Sequence, residues 1–291
     1  MPGPFDLEDE RAYRAWRERK LESFPARLDE LLVELEDPRA LSGAERAALI
    51  ERCSRTNLAL YACPPRAAAD KDLARHLGAQ LGLARLDRNP LADDDGISAI
   101  TPGGGRRGEF IPYTDRPIGW HTDGYYNPAA RRIRAMTLHC AQDALEGGDN
   151  ALLDHEIAYI LLRDENPDFV RALSAPDVLT IPPRLEGESI ARPAESGPVF
   201  SSDPRDGQLH MRYTARGVNI AWKDDGATRA ALAALERVLH GGSPWVLRLR
   251  LAPGMGIVCN NVLHARSGFR DTPERRRLLY RARSYDRIAM N

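Results

Sequence analysis

Cysteine is scarce in this chain and shows no pattern. The four residues Cys53, Cys63, Cys140 and Cys259 form no C-x-x-C pair, which argues against a zinc knuckle or a disulfide framework. They are expected to be reduced, partly buried thiols in a cytoplasmic protein. An excess of one charge sign is also missing: 41 basic and 42 acidic residues leave a net charge of −1. Such balance gives no electrostatic reason to bind nucleic acid or an anionic membrane. No apolar run reaches membrane-spanning length. The opening MPGPFDLEDE lacks the apolar segment of a signal peptide. Internal repeats, low-complexity tracts and obvious linkers are absent too, so one domain over 1–291 is the simplest organisation.

What is present is an ordinary globular composition, 43% hydrophobic and 29% charged. The first 60 or so residues read as a helical extension: LEDERAYRAWRERKLESF is followed by LSGAERAALIERCSRTN. Ser42 and Glu45 in the second stretch match a capping box. NLALYAC reads as a short strand and AAADKDLARHLGAQLGL as an amphipathic helix. From about residue 97 to 287, strand-like runs separated by turn signals dominate. Two helices interrupt them: DHEIAYILLRDENPDFVRAL, with Asp154 as N-cap, and ATRAALAALERVLHGG. Many strands without strand–helix alternation argue against a doubly wound sheet. A mainly β fold with flanking helices fits, a sandwich or jelly roll. The Gly103-Gly104-Gly105 stretch with Arg106 and Arg107 lacks the lysine and spacing of a phosphate loop. It reads as a mobile surface loop or lid.

Only seven histidines are available, so their placement is informative. His76 and His240 fall on expected helices, and His155 follows a helix cap. His139 and His210 sit in strand-like runs, where a hydrogen-bonded core role is the ordinary reading. His121 and His264 differ. In GWHTDGYYNP, His121 stands two residues before Asp123, and on a strand both side chains would share a face. His264 follows the strand-like MGIVCNNVL and precedes ARSGF. Two imidazoles and one carboxylate are the donor set that holds Fe(II) on one face and leaves three positions open. A structural zinc site would use four protein ligands.

The ordered segments YT…WHTDGYYNP, LHC…EGGDNALLD and NNVLHARSGF…ERRRLLYR resemble the Fe(II)/2-oxoglutarate-dependent dioxygenases of the taurine dioxygenase type, which include γ-butyrobetaine hydroxylase and clavaminate synthase. The likeness covers about residues 55–287. It implies a double-stranded β-helix (jelly roll) flanked by helices. It implies Fe(II) on His121, Asp123 and His264, with 2-oxoglutarate and O₂ as cosubstrates and succinate and CO₂ as products. It places the cosubstrate's far carboxylate on an arginine of the last strand. Arg277 fits best, Arg276 is the runner-up, and Arg275 reads as a solvated strand start. Asn150 stands where the family usually has Thr or Ser after GGD or GGE, a departure that leaves an amide to meet the cosubstrate. The presence of Asp123 argues against halogenation.

The substrate is less defined. Tyr113, Tyr125 and Tyr126, with Trp120, form either a cation–π cage or plain barrel packing. Arg212 and Arg281 are candidates to hold a substrate carboxylate or sulfonate, since an arginine deep in a barrel needs an anionic partner. Together they suggest hydroxylation of a small amino-acid-like or betaine-like molecule. Alternatives are a sulfonate- or carboxylate-directed dioxygenase of the same family and a non-catalytic jelly-roll binding protein. The expected partner is a small molecule rather than nucleic acid or membrane. Analogy with relatives adds a homo-oligomer to the expected partners.

Overall fold

The computed structural model describes every residue except 1–2, 65–66, 89–94, 188 and 289–291. Its backbone packs as two compact units. The first gathers 24–119, 133–152 and 247–291, and the second gathers 1–23, 120–132 and 153–246.

A six-stranded sheet organises the first unit. Its strands run in the order Leu32–Glu34, Leu58–Ala62, Met255–Cys259, Ala135–Gln142, Leu278–Ser284, Ile97–Ile100. The first pair is parallel, and the following registered pairs are antiparallel. The two-residue side-chain period of a strand explains why both faces are apolar. Leu58 and Leu60 point to one buried cluster, which they share with Ile257, Cys259, Leu152 and Leu249. Ala59 and Tyr61 point the other way, into a cluster with Val258, Leu49, Leu73 and Leu77. Leu49 lies on the helix Gly43–Thr56, and Leu73 and Leu77 on the helix Leu73–Gln80. One face of the sheet is thus covered by helices. The other meets a four-stranded sheet ordered Leu247–Leu249, Asn150–Leu153, Leu263–Arg266, Ile118–His121. Truncating one such buried leucine to alanine costs about 2–5 kcal/mol.

His139 is fully buried on this scaffold and pinned at both ring nitrogens. A carbonyl can only accept, so Nε2 carries the proton it donates to the Ala68 oxygen at 3.0 Å. Nδ1 then accepts from the Tyr61 hydroxyl at 3.1 Å. Burial pushes this imidazole below its ordinary value near 6.5, opposed only by the Ala68 and Ala67 carbonyls and distant Asp70.

The second unit is rich in helices. Glu10–Ser23 lies against His155–Glu165, and Pro167–Leu173 and Gly226–His240 pack beside the latter. Phe5 and Trp16 each meet the Tyr159 ring edge-on. A buried ion cluster locks the first of these contacts. The Lys20 ammonium lies 2.6 Å from Asp154 and 2.5 Å from Glu156, all nearly inaccessible to water. Burial alone would lower the lysine, but the two carboxylates hold it above its ordinary value. Small antiparallel ladders complete the unit. In the hairpin of Arg184–Glu186 and Ser189–Arg192, Leu185 and Ile190 are paired and exposed.

Several expectations are corrected. The first 60 residues are not wholly helical: Leu32–Glu34 forms a strand whose hydrogen bonds come from Leu58–Ala62. The helix expected over 154–173 is two helices. Pro167 cannot donate a backbone bond, and Asn166 adopts an extended conformation that caps the second helix. Asp154 does cap the first, and the Ser42–Glu45 box is present. The glycine stretch at 103–105 leads into a one-turn helix, Gly105–Gly108, instead of an open loop.

Two outcomes follow for stability. The folded His139 value is depressed, so near pH 6 the unfolded chain binds more protons. Its contribution is present above pH 6.5 and is lost as pH falls toward the folded value. Urea midpoints measured from pH 7.5 to 5 should fall, and more steeply for the wild type than for His139→Gln. Lys20→Met should destabilise by about 3–5 kcal/mol, because it leaves two buried carboxylates facing each other. Calorimetric melting checks this.

Candidate active site

The strand Ile118–His121 ends at His121, and its neighbour in the sheet, Leu263–Arg266, carries His264. Asp123 does not continue the strand as the two-residue spacing suggested. It sits in the turn just beyond, where Gly124 takes a φ of +69°, a region that side chains with a Cβ rarely enter. The amide of Asn127 donates to the Gly124 carbonyl at 2.8 Å and closes that turn. The segment is also clamped from the side. Thr122 N–H donates to Tyr213 O at 3.0 Å, and Tyr213 N–H donates to the Thr122 hydroxyl at 3.1 Å.

One ligand atom each from His121, Asp123 and His264 lie within 4.8 Å of one another. His121 and Asp123 are buried. The His264 ring is oriented by its own strand. Its Nδ1 lies 2.9 Å from the Val262 carbonyl, so it carries the proton it donates there. That fixes the tautomer and leaves the Nε2 lone pair for a metal. Two neutral imidazoles and a carboxylate suit a first-row divalent ion.

Arg277 and Asn150 share a second environment. Both line a narrow cleft with Cys140, Gly148, Arg250 and Leu279. Arg277 is buried, no carboxylate pairs with it among the described residues, and its guanidinium lies 5.1 Å above the Phe269 ring. Burial pushes it down to about 10. The Asn150 side-chain amide nitrogen is buried without a hydrogen-bond partner. Gly148, at φ +76°, leaves room for the arginine: a Cβ there would sit 3.1 Å from Arg277 Nε. A buried cation and an unsatisfied N–H donor on one cleft suit a carboxylate.

The remaining predicted residues fall in several places. Arg276 is exposed and donates to the Pro102 carbonyl at 2.7 Å. Arg275 pairs with Asp143 at 2.5 Å. Arg281 lies further along its strand, between Ser98 and Leu138. Tyr113 is buried in the turn Ile111–Tyr113. Tyr125 and Tyr126 meet edge to face with centroids 5.2 Å apart, and Tyr125 accepts a hydrogen bond from Arg216. Arg212 needs no acidic partner. It donates to four backbone carbonyls: Tyr125 at 2.7 Å, Leu179 at 2.8 Å, Glu195 at 2.9 Å and Gly197 at 3.3 Å.

Sequence reading missed several groups. Arg250 faces the cleft beside Arg277 and donates to Asp143 at 3.1 Å. The alternation in LRLRL reads as leucines inward and arginines outward, so nothing local signals a cleft role for Arg250 or for Asp143. Arg266 is buried and donates to Pro112, Thr114 and Arg116 carbonyls, tying the Tyr113 turn to the His264 strand. His210, read as a core residue, is half-buried and lines a cavity of about 70 Å³ with Asp123, Arg132, Glu195 and Arg212.

Known proteins share this pattern. Residues 19–283 match the family model described as taurine catabolism dioxygenase TauD, TfdA family. A uridine-5′-phosphate dioxygenase of Streptomyces sp is 30% identical over 199 residues, covering 65% of this chain and 69% of that protein. Among solved structures, the iron oxygenase OrfP with Fe and α-ketoglutaric acid superposes with a TM-score of 0.62 at 17% identity, over 84% of this chain and 81% of that one. Asparagine oxygenase with Fe(II), hydroxyasparagine and succinate gives 0.59 at 17%, over 83% and 78%. A taurine dioxygenase from Burkholderia xenovorans gives 0.56 at 18%, over 87% and 86%. At these identities the structures speak for the fold, while the family model spans most of the chain. The chain belongs to the TauD/TfdA dioxygenase family, within the iron- and 2-oxoglutarate-dependent dioxygenases that its sequence resembles.

Proposed function

We propose that His121, Asp123 and His264 hold Fe(II), and that the chain hydroxylates a small molecule while 2-oxoglutarate goes to succinate and CO₂. The observation that carries this is the meeting of three ligand atoms from distant parts of the chain within 4.8 Å. Arg277 anchors the far carboxylate of 2-oxoglutarate, and the Asn150 amide donates to the same molecule. Arg276, exposed and bonded to Pro102, is the weaker choice for the anchor. The jelly roll is the architecture we assign to the facing six- and four-stranded sheets, within a single dioxygenase domain.

Bound iron supplies the oxygen chemistry of the family. The chain's own residues supply geometry. The Val262 carbonyl holds His264 in one tautomer, the Gly124 turn aims Asp123, and burial of Arg277 and Asn150 excludes water from the cosubstrate's end. A planar guanidinium, fixed over Phe269, grips a carboxylate more rigidly than a lysine would.

For the substrate we favour an amino-acid-like or betaine-like molecule. The cavity beside Asp123 presents both signs of charge, through Arg132, Arg212 and Glu195. The named activity of the Streptomyces relative brings a nucleotide into the same range of candidates. Tyr113, Tyr125, Tyr126 and Arg281 stay as substrate-side candidates. A cytoplasmic location, consistent with four free thiols, and a homo-oligomer belong to the same reading. No helix among the described residues is long and apolar enough to cross a membrane.

The test is succinate release from 2-oxoglutarate under Fe(II) and air, screened over amino acids, betaines, sulfonates and nucleotides. Release should require iron, disappear with a chelator and fall at least about a hundredfold in His264→Ala or Asp123→Ala. Undiminished release in His264→Ala removes the metal assignment. Arg277→Gln should raise the KM for 2-oxoglutarate at least about tenfold, the loss of one charged hydrogen-bonded pair. Arg276→Gln should change it little.

A further inference from the structure

Asp143 and Arg277 stand where an ion pair is expected. The ladder of Ala135–Gln142 with Leu278–Ser284 registers Gln142 opposite Leu278. Continuing that register by one residue sets Asp143 opposite Arg277, and both line one narrow cleft with Cys140 and Asn150. Directly opposed residues of an antiparallel pair have Cβ atoms about 5 Å apart, and opposite charges there attract. Yet the two do not pair. Both Asp143 oxygens are taken by other donors: Oδ1 by Arg275 at 2.5 Å and by the Gln142 amide at 3.1 Å, Oδ2 by Arg250 at 3.1 Å. Arg250 is itself fixed by donating to the carbonyls of Ala144 and of Leu145, the latter at 3.2 Å. Arg275 is fixed by its turn, where its main-chain N–H donates to the Thr272 hydroxyl at 3.1 Å. Burial alone would raise the Asp143 carboxyl, but the bonds and charges of Arg275 and Arg250 hold it below its ordinary value. Asp271, the other acid near Arg277, accepts that residue's main-chain N–H at 3.0 Å rather than its guanidinium. One arginine would neutralise Asp143; two are spent on it.

We propose that Arg250 and Arg275 are positioning residues that hold Asp143 away from Arg277, so that the Arg277 guanidinium stays open to the far carboxylate of 2-oxoglutarate. Asp143 is a built-in competitor, an internal carboxylate with the same chemistry as the anion to be bound. Released, it closes an ion pair across the cleft, and the cosubstrate must displace it. The three consecutive arginines then have three separate tasks. Arg275 restrains the competitor, Arg276 holds the Pro102 carbonyl, and Arg277 receives the ligand. The proposal rests on reading Arg277 as the 2-oxoglutarate anchor.

Binding of 2-oxoglutarate to the full-length chain tests this, titrated calorimetrically with Fe(II) and without oxygen. The double variant Arg250→Gln/Arg275→Gln frees Asp143 and should weaken binding about tenfold, the scale of one charged hydrogen-bonded pair. Adding Asp143→Asn to that variant should restore affinity to within about threefold of wild type. Asp143→Asn alone should stay within the same margin. In turnover, the double variant should raise the KM for 2-oxoglutarate and leave kcat little changed. A crystal structure of the double variant should place the Asp143 carboxylate within about 4 Å of the Arg277 guanidinium, ion-pair distance. A clamp that only braces the fold behaves differently, because Asp143→Asn then removes one more bond and rescues nothing. Three results each overturn the proposal: wild-type affinity in the double variant, a loss that Asp143→Asn does not restore, or an Asp143 that stays clear of Arg277 in the crystal. Failure of the anchor reading is distinct: Arg277→Gln itself then binds 2-oxoglutarate as tightly as wild type, and the anchor and this proposal fall together.

Discussion

A carboxylate and two imidazoles converging on one point constrain everything around them. Asp123 is buried, and a buried carboxylate demands compensation. A shared divalent cation would supply it, provided that each donor arrives with the right face. The protein meets that demand with main-chain devices. A carbonyl two residues away sets the His264 tautomer, a left-handed glycine turns Asp123, and cross-strand bonds to Tyr213 hold the segment between them. Positional accuracy comes from the sheet, which is why short neighbouring strands suffice to bring together residues far apart in the chain.

Buried arginines follow a second rule. Arg212, Arg266 and Arg163 are all deep in the protein, and each donates to several main-chain carbonyls. Each ties together segments that lie apart in the sequence. Lys20 and Arg283 are different: they pair with buried carboxylates, Asp154 with Glu156 and Asp87 respectively. The distinction has a physical basis. A guanidinium spreads its charge over a fork of donors and can be satisfied by several neutral dipoles, as at Arg212, or by a carboxylate, as at Arg283, whereas the compact Lys20 ammonium sits between two counter-ions. Arg277 fits neither group: among the described residues no carboxylate forms an ion pair with its guanidinium and no cage of carbonyls surrounds it, the setting that the proposed anion anchor needs.

The legible part of this protein lay in spacing and period. His121, Asp123 and His264 stand in motifs whose residue types are dictated by coordination chemistry, and the structure brings them together. The continuous apolar runs of Leu58–Ala62 and Met255–Cys259 were readable because both faces of those strands are buried. Three-residue strands such as Leu32–Glu34 and Leu179–Ile181 are too short to show a period, so their pairing was invisible. The role of Arg212 was misjudged for a related reason. Its partners are main-chain carbonyls of residues 125, 179, 195 and 197, and a carbonyl is common to every residue type. The break at Pro167 was legible, and the apolar spacing across it masked it.

The Lys20 cluster changes how the beginning of the chain should be regarded. The helix Glu10–Ser23 supplies the cation that neutralises Asp154 and Glu156, and Asp154 directly follows the strand that presents Asn150. Trimming away this segment as a dispensable appendage would strand two negative charges in a dry interior beside the strand Asn150–Leu153. Shortened versions of the protein should therefore be soluble only if those acids are neutralised at the same time, and domain-swapped or fusion designs must leave this helix free to dock.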